Sequence, residues 1–579
     1  MARNTSVLAI SLCVFGISLA NVPYEPKRSP VISPAIEGMQ TPSISVWVFF
    51  TDKGFSTDQE YRNALDRARD QLLPNARWRR SKVRSPELVA YHDLPVSPEF
   101  AQAVLTTGAR LRVVSRYLNA VSVDATLEQI QAMGQLPFVR AINPVAKGYR
   151  DEPDITGSRD YRNPPGTDQL EYGPSFDQLD QINVVAAHEA GYSGAGVLLC
   201  LLDTGCMLDH EAFDSLHIVA VWDFIHSDSI IWNQPGQDST WQHAHGTYTL
   251  STAAGSSPGH LYGPAYGASV LMGKTESVAY EQPIEEDWYV AGLEWADSLG
   301  TEIVSTSLGY IDWYTFEDMD GNTCVTTNGV DIAVSNGIVC VTAAGNERNS
   351  GWGHIIAPAD ADSVIACGAV GQSGEIAGFS SPGPTYDGRT KPEVCARGVD
   401  TWCAMPFDPY SYGSVSGTSL STPLVGGAVA LVLEAHPDWT PMMVREALMM
   451  AADNSTAPNN DYGWGIIDVM AAIHYQFSSI PDLGKTVTGV PSAILVVGSY
   501  PNPFNSEVTL EYQVVTPGDV TLDVFNLLGQ RLGQRSLGYQ QEGMYRVQWG
   551  DIAGEASGLY FYRLTHPEAT LWGRWMYLR

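Results

Sequence analysis

Between residues 171 and 477 the chain keeps returning to short, almost unbroken apolar runs: VLLCLLD (197–203), GASVLMGK (267–274), EIVSTSLG (302–309), GIVCVTAAGN (337–346) and SVIACGAV (363–370). This pattern excludes most folds. A strand with one wet face alternates apolar and polar residues, whereas a strand covered by helices on both faces stays apolar, as in parallel sheets. The text between the runs supplies the helices: EEDWYVAGLEWADSLG and TTNGVDIAVSNG place apolar residues at helical spacing and close on Gly. The expected fold class is α/β, a parallel sheet flanked by helices, with chemistry at the carboxyl ends of the strands.

At 579 residues the chain exceeds one ordinary core, so further domains are expected on either side. Residues 1–20 read as a secretory signal peptide, with Arg3, an apolar stretch from Val7 to Leu19 and small residues Ser18 and Ala20 at a cut. Residues 43–147 read as a small α+β module: ISVWVFF, then a polar Arg-rich stretch, then strand, turn, strand, helix and strand between Leu111 and Ile142. Residues 148–170, polar and rich in Asp, Pro and Gly, form an exposed, cleavable linker. The α/β body spans 171–477, and 478–490 is a second linker. In 491–579, PNPFNSEVTLEYQV, DVTLDVFNLLGQRLGQ, GMYRVQWG and SGLYFYRLTH alternate between turn residues, the pattern of a β-sandwich.

Charge is unevenly placed. The first 150 residues hold 18 Lys+Arg against 12 Asp+Glu, and the remainder holds 15 against 52. Nucleic acid is a poor partner for such an acidic body, while a basic leader suits docking on it. No run beyond the signal approaches the length of a membrane-spanning helix, so no span is expected in the mature form. Of the cysteines, Cys200, Cys340 and Cys367 sit in strand-like runs and read as core residues. Cys206, Cys324, Cys395 and Cys403 lie nearer loops and are the disulfide candidates of an exported chain. DMDGN gathers Asp318, Asp320 and Asn322 around a glycine, as calcium loops do, without the full spacing of the helix-loop-helix motif.

Four short words carry the chemistry. Asp203-Thr204-Gly205 ends an apolar run, His245-Gly246-Thr247 opens a stretch of small residues, Asn346 ends VTAAGN, and Ser419 stands in GTSLSTP at the start of another apolar run. Alone, each has a bland reading: a strand-end acid, a capping histidine, a turn amide, a helix-cap serine. Together, acid, base, amide and hydroxyl are the parts of a serine nucleophile with an oxyanion donor.

The order DTG, HGT, AAGN, GTSLSTP, with IVSTSLG, AGFSSPGPTYDGRTKPEVCARG and YGWGIIDVMAAI between and after, resembles the subtilisin-like serine peptidases, the subtilases, over residues 172 to 475. Tyr248 and Leu420 stand where histidine and methionine are frequent in that family. The resemblance implies Ser419 as nucleophile, His245 as base, Asp203 as its orienting acid and Asn346 as oxyanion donor. It also implies substrate contact at Ser307-Leu308-Gly309 and Ala343-Ala344-Gly345, whose small uncharged walls suggest a roomy apolar first pocket. The leader is similar to the inhibitory propeptides of subtilases, a ferredoxin-like module, and the C-terminal segment to sorting domains of type IX secretion. The expectation is a secreted serine endopeptidase, extracellular or at the cell surface, made as a zymogen. Its partners would be protein and peptide substrates, its own propeptide as inhibitor, and secretion machinery. Chemistry would need no cofactor, and calcium would be structural. The alternative is a catalytically silent surface binding or adhesion protein on a peptidase scaffold. An aspartic peptidase built on DTG lacks a second such motif.

Overall fold

In the computed structural model, which describes residues 31–37, 41–146, 154–156, 170–278, 286–477, 493–500, 508–526, 531–550, 558–567 and 569–577, the leader builds a four-stranded sheet. The signal-like segment, the linker at 478–490 and most of the linker at 148–170 lie outside the described residues. The leader's elements are β1 (Ile44–Phe50), α1 (Asp58–Gln71), α2 (Pro74–Ser81), α3 (Pro98–Leu105), β2 (Arg110–Ser115), β3 (Ala120–Ala125), α4 (Leu127–Met133) and β4 (Val139–Pro144). The strand order is β2-β3-β1-β4, with β1 antiparallel to both neighbours. The pleat divides β1 between two cores. Val46, Val48 and Phe50 pack inside the leader with Val104, Ile130 and Met133, while Trp47 and Phe49 point the other way, into a cluster with Tyr289, Val290 and Leu293 of the body. The central strand β1 of the leader's sheet therefore has no wet face.

Beyond the leader, β5 (Asp154–Thr156) is a short strand of the linker. The body follows with β6 (Leu198–Asp203), β7 (His217–Asp223), α5 (Ala244–Ala254), β8 (Ser269–Lys274), α6 (Glu286–Leu299), β9 (Ile303–Thr306), α7 (Val325–Ser335), β10 (Val339–Ala343), β11 (Ile365–Val370) and β12 (Val394–Arg397). The seven strands form one sheet, ordered β12-β11-β10-β9-β6-β8-β7, parallel throughout. Its apolar runs are explained by two covered faces. In β6, Leu199 and Leu201 belong to one core, and Leu198, Cys200 and Leu202 to the other. A hairpin of β13 (Thr401–Ala404) and β14 (Tyr412–Ser416) then leads into α8 (Thr418–Ala435). By length and composition α8 is apolar enough to cross a membrane, but 83% of that window is buried in the body, so it serves as the central core helix.

The C-terminal unit comprises β15 (Ile494–Tyr500), β16 (Val508–Val514), β17 (Gly518–Phe525), β18 (Arg531–Gln540), β19 (Gly543–Trp549), β20 (Gly558–His566) and β21 (Ala569–Tyr577). Two sheets, β15-β16-β19 and β18-β17-β20-β21, enclose a common core that includes Leu510, Tyr512, Leu522, Trp549, Leu564 and Trp575. This is the sandwich that the alternation predicts.

The disulfide expectation fails among the described residues. All seven described cysteines, including Cys206, Cys324, Cys395 and Cys403, are unpaired and buried. Their loop-like flanks fold into the core, and burial pushes these thiols up, away from the thiolate form.

Candidate active site

Asp203 is the last residue of β6 and is 1% exposed. Its Oδ1 accepts the Thr204 N–H at 2.7 Å and its Oδ2 the Thr249 hydroxyl at 2.9 Å. His245 enters as the second residue of α5 and sets Nδ1 against Asp203 Oδ1 at 2.7 Å. With Nδ1–H donating to the carboxylate, Nε2 is the basic ring nitrogen. The Asp-Thr-Gly and His-Gly-Thr words interlock through backbone: Thr204 Oγ1 accepts the Gly246 N–H at 3.2 Å. A Cβ on Gly246 would lie 1.8 Å from the Gly205 carbonyl oxygen, and one on Gly205 2.1 Å from that of Ile231. Only glycine lets the helix start this close to the strand end.

Ser419 is the second residue of α8, half-buried between the buried Thr418 and Leu420. The proline of GTSLSTP shapes its surroundings. Pro423 has no N–H, so the Ser419 carbonyl, four residues back, lacks its helical donor. The Ser307 hydroxyl supplies one at 2.8 Å, and Ser419 Oγ in turn donates to the Ser307 carbonyl at 3.4 Å. Asn346, three residues past the end of β10, has its Oδ1 occupied by the N–H and hydroxyl of Thr418, each at 3.0 Å. Its amide nitrogen faces Gly417. A Cβ built there lies 3.7 Å from both Asn346 Nδ2 and the Ser419 nitrogen, so the two donors share one space at a helix N-terminus, where negative charge is favoured. Because β9 lies between β6 and β10, with Thr306 opposite Thr342, Ser307-Leu308-Gly309 and Ala343-Ala344-Gly345 leave the sheet side by side.

Asp318, Asp320 and Asn322 do not join this site. Asp318 accepts the Thr315 N–H and hydroxyl, and Asp320 accepts the N–H groups of Asn322 and Thr323. Their oxygens accept hydrogen bonds within their own turns. Among the described residues no group of three His, Cys, Asp or Glu is placed to hold a metal. Two features were not anticipated. Thr249, which braces Asp203, lies one helical turn after His245, a spacing that puts both on one face. The Arg-rich stretch of the leader, polar by composition, is partly buried.

Arg79 and Arg80 of α2 are 0% and 1% exposed and converge on Asp297 of α6. Arg80 Nη2 lies 2.6 Å from one Asp297 oxygen, Arg79 pairs with the other, and Arg116 adds a third contact at 3.1 Å. Burial alone would raise the Asp297 carboxyl, but the three guanidiniums overcome it and hold it below its ordinary range. Nearby, Arg112 pairs with Asp287 at 2.9 Å, and Glu294 accepts the Ser115 hydroxyl and the backbone N–H of Arg116 and Tyr117. At the head of α6, the Glu286 N–H donates to the Ala146 carbonyl at the leader's end. Burial pushes the Glu286 carboxyl up to about 8, with the like charge of Asp287 adding to the rise against backbone and Tyr314 hydrogen bonds.

The architecture is of the subtilisin-like class. The solved structure of fervidolysin from Fervidobacterium pennivorans, a keratinolytic enzyme related to subtilisin, superposes with a TM-score of 0.54 over 92% of this chain and 91% of that one, at 16% identity. Sequence takes the assignment further. Residues 194–465 match the subtilase family, 45–156 the peptidase S8 propeptide domain of Bacteroidota, and 499–575 the secretion system C-terminal sorting domain. Subtilisin E of Bacillus subtilis (strain 168) is 36% identical over 374 residues, 63% of this chain and 83% of that protein. Subtilisin Savinase of Lederbergia lenta is 31% identical over 297 residues, 51% of this chain and 97% of that one. The chain belongs to the subtilase family: it is a subtilisin-like serine peptidase with a propeptide domain, and its sorting domain marks it as secreted or held at the cell surface.

Proposed function

We propose that the protein is an endopeptidase exported as a zymogen and that Asp203, His245 and Ser419 perform its chemistry with Asn346. His245 Nε2 takes the Ser419 hydroxyl proton as Oγ attacks the scissile carbonyl, then returns it to the departing amine. Asp203 holds the ring in the required tautomer and supports the imidazolium. Water, activated by the same histidine, releases the acyl group. Asn346 Nδ2 and the Ser419 N–H receive the tetrahedral oxyanion. Peptide is held as an added strand along Ser307-Leu308-Gly309, with Ala343-Ala344-Gly345 across the first pocket. The observation that carries this reading is the 2.7 Å Asp203–His245 contact, set beside an amide and a backbone N–H that face one space.

The zymogen part rests on how the linker lies. β5 pairs antiparallel with β14, Asp154 opposite Ser416 and Thr156 opposite Ser414. From Asp154 to Thr156 the chain thus runs away from Ser419. With the leader's Ala146 anchored at Glu286, the maturation cut falls between Ala146 and Asp154. In this reading residues 43–147 are the inhibitor, 171–477 the peptidase and 491–579 the sorting domain. Intact mass, N-terminal sequencing and casein hydrolysis, for wild type beside Ser419→Ala, test it. Wild type should lose its leader at that cut, digest casein and be blocked by a serine-directed sulfonyl fluoride. The variant should stay full length and inert. An uncut, inactive wild type would favour the binding-scaffold alternative.

A further inference from the structure

The first specificity pocket, on the peptidase reading above, lies between Ser307-Leu308-Gly309 and Ala343-Ala344-Gly345. Both walls are small, which predicts room for a large side chain, but the space between them is filled. A Cβ built on Gly309 would lie 2.0 Å from Ile356 Cδ1 and 2.5 Å from its Cγ1, and one on Gly345 would lie 3.1 and 3.0 Å from the same two atoms. A single isoleucine side chain therefore touches the glycine of each wall. The backbone holds it there. The Ile356 N–H donates to the Ala344 carbonyl at 3.2 Å, and the next carbonyl, of Ala357, accepts the Tyr310 N–H at 2.9 Å. The segment is thus tied to the middle of one wall and to the residue after the other. Ile356 is 5% exposed, and its branched Cβ restricts the rotamers by which it might swing aside.

We infer that Ile356 is a specificity-determining residue, the floor of a shallow pocket that admits Ala, Gly or Ser at the residue whose carbonyl is attacked and rejects aromatic and long aliphatic side chains. A large side chain would have to occupy the volume that the isoleucine Cγ1 and Cδ1 already fill, and close-packed interiors yield little to such overlap. The inference rests on the peptidase reading and corrects the roomy pocket expected from the walls alone. The walls are named by the Ser-Leu-Gly and Ala-Ala-Gly words; the floor comes from a segment beyond both.

The test compares two peptide p-nitroanilides that differ only in ending with Ala or Phe, using the processed wild type, Ile356→Gly and Ile356→Ala. Wild type should favour the Ala substrate in kcat/KM by at least about tenfold, the scale on which an apolar pocket discriminates. Ile356→Gly should raise the Phe-to-Ala ratio by at least about tenfold, with Ile356→Ala between the two. Wild type cleaving the Phe substrate as well as the Ala substrate, or better, would overturn the inference, as would a ratio unmoved in active variants. If a variant fails to fold, the wild-type ratio still decides. Cleavage of neither substrate by wild type would instead sink the peptidase reading, and the pocket assignment with it.

Discussion

The cleft at the strand ends and the seam between leader and body are both buried, yet they are built from opposite materials. The cleft sets the Asp203 carboxylate against the His245 ring and otherwise relies on backbone, hydroxyl and amide groups. The seam packs Arg79, Arg80, Arg112 and Arg116 against Asp287, Glu294 and Asp297. The difference follows from duty. A site that must stabilise charge only in the transition state is best made of fixed dipoles that need no reorganisation. A joint that must hold and later part is suited to ions, because each charge left behind is rehydrated once water enters.

The sharpest test of this contrast is Ser419→Ala, which should bring turnover to background, a loss on the order of a millionfold, while leaving the seam intact. The leader should remain docked and uncut by mass. Next in size is Asp297→Ala, which strands Arg79 and Arg80 in the seam. Removing one partner of a buried pair costs about 3–5 kcal/mol. The processed variant should release its leader faster than wild type does, with turnover of the freed enzyme unchanged. Asn346→Ala should lower kcat by about 100- to 1000-fold with little change in KM. A raised KM at constant kcat would remove Asn346 from the oxyanion site. The smallest effect is the pH dependence of leader release. Glu286 binds its proton more tightly in the seam, where its pKa is pushed up to about 8, than with water beside it. Docking is therefore fully supported below the ordinary carboxyl range and weakens as pH rises toward and through 8. Release should quicken from pH 6 to pH 9 by up to about tenfold for each unit of raised pKa crossed. Glu286→Gln should flatten that slope. A slope that survives the substitution would place the titrating group elsewhere.

The same contrast explains what was legible in the sequence. Chemistry in the cleft is written in words of three to seven adjacent residues, because a strand end or a helix start positions its own side chain. Asp203, His245, Asn346 and Ser419, the residues proposed for the chemistry, are each read from such a word. The parallel sheet was equally readable, since two covered faces leave β6 apolar up to its terminal Asp203 and β10 apolar but for Thr342. The seam is written in pairs far apart along the chain. Arg79 and Asp297 are separated by 218 positions, and nothing local in WRR says that its arginines are buried. Cys206 and Cys324 read as loop cysteines because they follow turn residues, Thr204-Gly205 and Gly321-Asn322, although the loops fold inward. Ile356 was hidden for the same reason. Nothing in HIIAPAD reports which groups its side chain meets.

Those thiols have a consequence for where the protein can be made. With every described cysteine unpaired and buried, no part of the described fold waits on an oxidant. The described fold should form in a reducing cytoplasm and persist unchanged in an oxidising exterior, without the redox step that gates many exported proteins.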